Sequence, residues 1–154
     1  MSETAVRPTA TTRPVERQVH RLDVAHVHGE AYAVDIRGHQ LLVDQPTEEG
    51  GNDTAPTPTE LFAASLATHV AFCAGRYLRS QGMPRSGLRI RTEFTTSADR
   101  PPGIASVRLF ITPPPGLSAQ RHADLLAVAS HCTVHNTLHG QPETDVRLEP
   151  GTPV

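Results

Sequence analysis

Hydrophobic alternation begins at Val19. Tyr32, Val34 and Ile36 alternate with Ala33 and Asp35, the period of two expected of a half-buried strand. With its neighbours this predicts three short strands over 19–27, 31–36 and 40–43. They are separated by His28-Gly29-Glu30 and Arg37-Gly38-His39, each with the glycine that a tight turn favours. A polar stretch over 44–58 follows, with Gly50-Gly51, Asn52-Asp53, Pro56 and Pro58. It predicts a long loop, of the kind that often carries function. Thr57 or Thr59 then offers a helix cap, Pro58 suits a first helical turn, and Gly82 with Pro84 offers a stop. The predicted helix spans 59–80.

Leu61, Phe62, Ala63, Ala64, Leu66, Ala67, Val70, Ala71, Phe72, Cys73 and Ala74 place apolar groups around nearly the whole circumference of that helix. A helix apolar all round is a buried one, covered by a sheet and another element or by a second subunit. Only Arg76, Arg79 and Ser80 signal a return to solvent. Alternation resumes over 88–95 and 107–112, joined by a short connection that suits antiparallel pairing. Ser118 can cap a second helix through 130, 133–138 reads as a further helical turn or two, and 144–148 as a last strand carrying Val146 and Leu148. The order is that of an α+β domain with a mostly antiparallel sheet and a long buried central helix.

Composition narrows the class. The chain has 154 residues, of which 37% are apolar and 19% charged, with a formal charge of −2. The length suits one domain, read over 19–150, behind a loosely ordered tail over 1–18 that has almost nothing to bury. No basic block and few aromatics argue against a nucleic-acid partner. No apolar run approaches the ~20 residues of a membrane helix, and no export signal is evident, so a cytoplasmic protein is expected. Two cysteines are too few for a disulfide scaffold.

Those cysteines carry the candidate chemistry. His69 and Cys73 are four residues apart, on one face of the predicted helix and about 6 Å apart along its axis. Either Cys73 packs as a small hydrophobe beside a hydrogen-bonded His69, or the imidazole favours the reactive thiolate. Cys132 sits just before Thr133: either it is a reactive thiol near a helix start whose exposed N–H groups lower a thiol pKa, or it is a buried cap-region cysteine. His69, Cys73, Cys132 and His135 are ligand types that zinc accepts, and His135 with His139 has helical spacing, but no established metal motif is present. No metal or cofactor is therefore expected. Glu60 opens the helix, where an acid is favourable for structure alone. Arg37 lies in a turn from which it could approach a site.

The segment Pro56-Thr57-Pro58-Thr59-Glu60-Leu61-Phe62-Ala63-Ala64-Ser65-Leu66-Ala67 resembles the helix start of OsmC/Ohr proteins, the osmotically induced and organic-hydroperoxide-resistance family. Cys132-Thr133-Val134-His135-Asn136-Thr137-Leu138 resembles the second motif of that family, which normally begins Cys-Pro. The resemblance covers roughly residues 20–149 and implies an OsmC-like fold built as an intertwined homodimer. It also implies reduction of hydroperoxides by two cysteines, with a dithiol, often lipoyl, restoring the reduced state and an Arg–Glu pair holding the first thiol ionised. Two positions depart from the pattern. His69 stands where the peroxidatic cysteine usually sits, and Thr59 where the activating glutamate does, with Glu60 one place along.

The expected function is thus a divergent OsmC-like thiol peroxidase acting on a small organic hydroperoxide. Its catalytic candidates are Cys73, Cys132, His69, Glu60 and Arg37, and its partners a second copy and a dithiol reductant. The alternative is a non-catalytic relative that binds a small apolar ligand or a metal at the dimer interface. A purely structural interaction module is a third reading.

Overall fold

The computed structural model describes residues 18–131 and 133–150. The proposed N-terminal tail, all but residue 18, and Cys132 lie outside the described residues.

Three strands, β1 (Asp23–His28), β2 (Ala31–Ile36) and β3 (His39–Val43), form an antiparallel sheet in the order β1-β2-β3. The β2–β3 hairpin turns on Arg37 (φ 57°) and Gly38 (φ 82°), both in the left-handed region that a two-residue turn of this hand requires. Asp35 closes it, its Oδ1 accepting from the Gly38 N–H at 3.1 Å. The loop after β3 holds one 3-10 turn, Thr47–Glu49. A long helix, α1 (Pro58–Ser80), follows. β4 (Arg89–Thr96) and β5 (Ile104–Thr112) make a second antiparallel sheet, in register from Arg89 opposite Thr112 to Phe94 opposite Val107. Two helices, α2 (Ala119–Ser130) and α3 (Thr133–Gly140), complete the order.

The core lies where α1 meets β4, β5 and α2. Leu66 and Val70 of α1 pack with Ala129 of α2, flanked by Ile90, Val107, Leu109 and Ile111 of the second sheet. One turn further on, Ala74 and Leu78 pack with Leu117 and Leu125. The outer face of this sheet is polar: Arg91 pairs with Glu93 and lies 4.1 Å over the Phe110 ring.

One sequence expectation, the buried central helix, is met on one face within a single chain, and two others are corrected. Within one chain α1 is buried along one face only, through Ala63, Leu66, Val70, Ala74, Gly75 and Leu78, while Phe72 on the opposite face is 70% exposed. The segment 144–148 forms no strand, and Val146 and Leu148 stand almost fully exposed, because no sheet edge pairs with them. Finally, α1, with 23 residues and an 18-residue stretch of mean hydropathy 1.2, is long and apolar enough to cross a membrane by length and composition. It is instead the core helix of this fold, packed against β4 and α2.

The first sheet stands apart. None of its strands packs extensively on α1 or on the second sheet. Val24, Val27, Leu41 and Leu42 remain exposed.

Candidate functional site

The loop leading to α1 is held by one carboxylate. Asp44 is fully buried and accepts four hydrogen bonds, from the Gln45 N–H, the Asn52 N–H, the Thr54 N–H and the Thr54 hydroxyl, the last at 2.7 Å. The Thr54 hydroxyl and N–H, with the Gln45 and Asn52 N–H groups, outweigh the penalty of burial and lower its pKa to about 2. Gly51 is required beside it: a Cβ there would lie 1.9 Å from the Gln45 carbonyl oxygen.

Thr57 then caps α1. Its side chain accepts from the Glu60 N–H at 3.2 Å, and the Glu60 carboxylate accepts from the Thr57 N–H at 2.8 Å, a reciprocal capping box. Glu60 is therefore committed to the helix start. Thirteen residues of helix, about 20 Å at ~1.5 Å per residue, separate it from Cys73 in the same chain.

His69 and Cys73 are both half-buried on α1, one turn apart, on the flank between the packed face and the exposed one. Cys73 packs beside the Leu66, Val70 and Ala129 cluster. It also lines a cavity of about 590 Å³ with Arg76, Tyr77, Arg79, Ser80, Val128 and His131. Burial, then the nearby Asp124 carboxylate, raise the Tyr77 phenol pKa, and its hydroxyl donates to Asp124 at 3.5 Å. The cavity wall thus combines a thiol, two guanidiniums and a phenol. Arg76 and Arg79 look in sequence like a return to solvent, and their spacing of three and six residues from Cys73 was the available signal.

Arg37 is placed elsewhere. It is exposed in the β2–β3 turn, in the sheet that does not pack extensively on α1, and does not line the Cys73 cavity. Of the five sequence candidates, His69 and Cys73 stand one turn apart on α1, His69 outside the lining of the Cys73 cavity, and Glu60 and Arg37 lie apart from them. Cys132 lies outside the described residues.

A second cavity, of about 560 Å³, lies between α1, β5 and α3. Its wall is mainly apolar, from Phe62, Leu66, Val107, Leu109 and Leu138, with His135 and His139 on the α3 side. Among the described residues, no group of three or more His, Cys, Asp or Glu side chains is placed to hold a metal ion.

Comparison with known proteins agrees with this architecture. Among the curated proteins, none matches the sequence significantly. Solved structures do. A candidate osmotic stress induced and detoxification response protein from Psychrobacter arcticus superposes with a TM-score of 0.72 at 20% identity, covering 80% of this chain and 90% of that one. An OsmC-like protein from Mycoplasma pneumoniae gives 0.69 at 15% identity, over 80% and 89% of the two chains. The organic hydroperoxide resistance protein OsmC from Legionella pneumophila gives 0.62 at 22% identity, over 80% and 93%. These likenesses establish the fold, and the sequence profile that matches residues 50–147 establishes the lineage: the chain belongs to the OsmC-like protein family.

Proposed function

We propose that this protein is a homodimeric, cytoplasmic stress-response protein that reduces small organic hydroperoxides with Cys73 and Cys132. The observation that carries the reading is the placement of Cys73, half-buried in a cavity wall with Arg76 and Arg79, in a chain of this family. A guanidinium beside a thiol favours the thiolate, the nucleophilic form. The name of the Legionella relative, an organic hydroperoxide resistance protein, supports the substrate class.

The chemistry balances as follows. The Cys73 thiolate attacks the outer peroxide oxygen, the O–O bond breaks, and the alkoxide leaves and takes a proton as the alcohol. Cys73 becomes a sulfenic acid. The Cys132 thiolate attacks that sulfur, hydroxide leaves as water, and a disulfide forms. A dithiol reductant, lipoyl-type in one form, exchanges with the disulfide and restores both thiols. Arg76 takes the charge-stabilising role for which the sequence suggested Arg37, His69 stands one turn before the thiol on α1, and Glu60 keeps the structural role of its capping box.

Two features support the second subunit. The first sheet leaves Val24, Val27, Leu41 and Leu42 exposed, and α1 leaves Phe72 exposed on the face opposite its packed one. Surfaces of this kind mark association sites.

Turnover of cumene hydroperoxide with dihydrolipoamide tests the redox reading. Cys73→Ser and Cys132→Ser should each reduce turnover to the buffer rate, and full turnover in either variant removes that residue from the mechanism. A second reading, a non-catalytic member that takes a small apolar ligand, is favoured by the apolar cavity between α1, β5 and α3 and by His69 at the family's peroxidatic position. Intact mass after one equivalent of hydroperoxide separates the two readings. Loss of two hydrogens per chain supports the redox pair, and an unchanged mass with both thiols free favours ligand binding.

A further inference from the structure

His135 and His139 stand one turn apart on α3, and their Nε2 atoms are 3.0 Å from each other, one donating to the other. The ring centroids are 4.8 Å apart and the planes tilted by 55°. Two imidazole nitrogens each about 2.0–2.1 Å from one metal ion are separated by about 2.9 Å when they meet at a right angle, and by about 3.35 Å at the tetrahedral angle. The separation already present is within a few tenths of an ångström of both values, so a small rotation of the rings that exchanges their mutual hydrogen bond for a metal aims both lone pairs at one ion. A helical spacing of four residues is also the spacing at which two histidines ligate one metal.

We propose that His135 and His139 chelate a single divalent late first-row cation, of the Ni²⁺, Cu²⁺ or Zn²⁺ class, at the wall of the apolar cavity between α1, β5 and α3. Imidazole suits these ions, whereas Mg²⁺ and Ca²⁺ take oxygen ligands.

His131, four residues before His135, is held on α2 by a hydrogen bond between its Nδ1 and the Ala127 carbonyl at 2.8 Å, and among the described residues no third His, Cys, Asp or Glu joins the pair. Among the described residues the chain supplies two ligands, and both line the cavity of about 560 Å³, which has room for water or for a small donor molecule. The site is distinct from the cavity of Cys73, which neither histidine lines. It holds whether or not Cys73 turns over peroxide.

Ni²⁺ is the probe, because it does not oxidise thiols as Cu²⁺ does. It is titrated into the reduced full-length protein, with binding followed by calorimetry and ligand type by absorption. The expected result is one Ni²⁺ per chain with no thiolate-to-metal charge-transfer band. His135→Gln and His139→Gln should each weaken binding by at least about tenfold, the lower end of what losing even an outer partner of a metal ligand costs. His122→Gln, on α2, should leave it unchanged. A thiolate band, or undiminished binding in His139→Gln with the fold intact by its melting temperature, would overturn the proposal. His139 is exposed, so its replacement leaves the core untouched.

Discussion

A single carboxylate decides how the chain approaches its central helix. Asp44 organises residues 45–54 through four accepted hydrogen bonds, and its pKa is lowered from 3.8 to about 2. A carboxyl held below its ordinary value stabilises the fold in its ionised form. That contribution is complete above about pH 4 and is lost as pH falls through about 2. Asp44→Asn should therefore lower the melting temperature at pH 5, and its melting curve should shift less than that of the wild type between pH 5 and pH 2. Equal shifts in the two proteins would remove Asp44 from the acid response. At Cys73 the corresponding group is Arg76. Arg76→Gln withdraws positive charge from the cavity wall and should slow alkylation of Cys73 by iodoacetamide at neutral pH, an effect read by peptide mass mapping. Alkylation at the wild-type rate would assign the activation to another group.

Local sequence rules account for most elements. Helix α1 starts where Thr57, Pro58 and Glu60 together place a cap, a first-turn proline and a capping box, and it stops before Gly82. Thr57→Ala leaves the Glu60 N–H without its side-chain acceptor and should cost about 1 kcal/mol in urea unfolding, as such caps do. A loss within the error of the measurement would show that water replaces the cap. The three N-terminal strands, β4, β5, α2 and α3 likewise fall close to where alternation and capping signals place them. The segment 144–148 does not. Its alternation is that of a strand, but a strand needs an edge to pair with, and pairing depends on distant parts of the chain. Alternation reports only which residues would share a face.

The whole molecule carries more apolar surface than one chain buries. An α1 apolar on nearly every side finds cover on one face only, and the first sheet finds little. The second copy proposed above would cover both. Phe72, 70% exposed on the uncovered face of α1, is the sharpest probe. Phe72→Asp should shift the protein from dimer to monomer in sedimentation velocity, with α1 retained by circular dichroism. A wild-type protein that sediments as a monomer would remove the dimer from the proposal altogether.

Strands, helices, caps and turns follow from residues close in sequence, because alternation, helical period and hydrogen bonds to a neighbouring backbone act over a few positions. The OsmC-like family was legible for the same reason, since its signature lies in two short segments, one at the start of α1 and one beginning at Cys132. The candidate site was only half legible. Spacing along one helix brought His69 to Cys73, but Glu60 and Arg37 were separated from them by helix length and by sheet placement, neither of which spacing alone conveys. The company Cys73 keeps with Val128 and His131 comes from the packing of α2 on α1, and the four bonds on Asp44 come from a loop closing on itself. Such contacts join residues far apart in sequence, and their geometry exists only once the chain has folded.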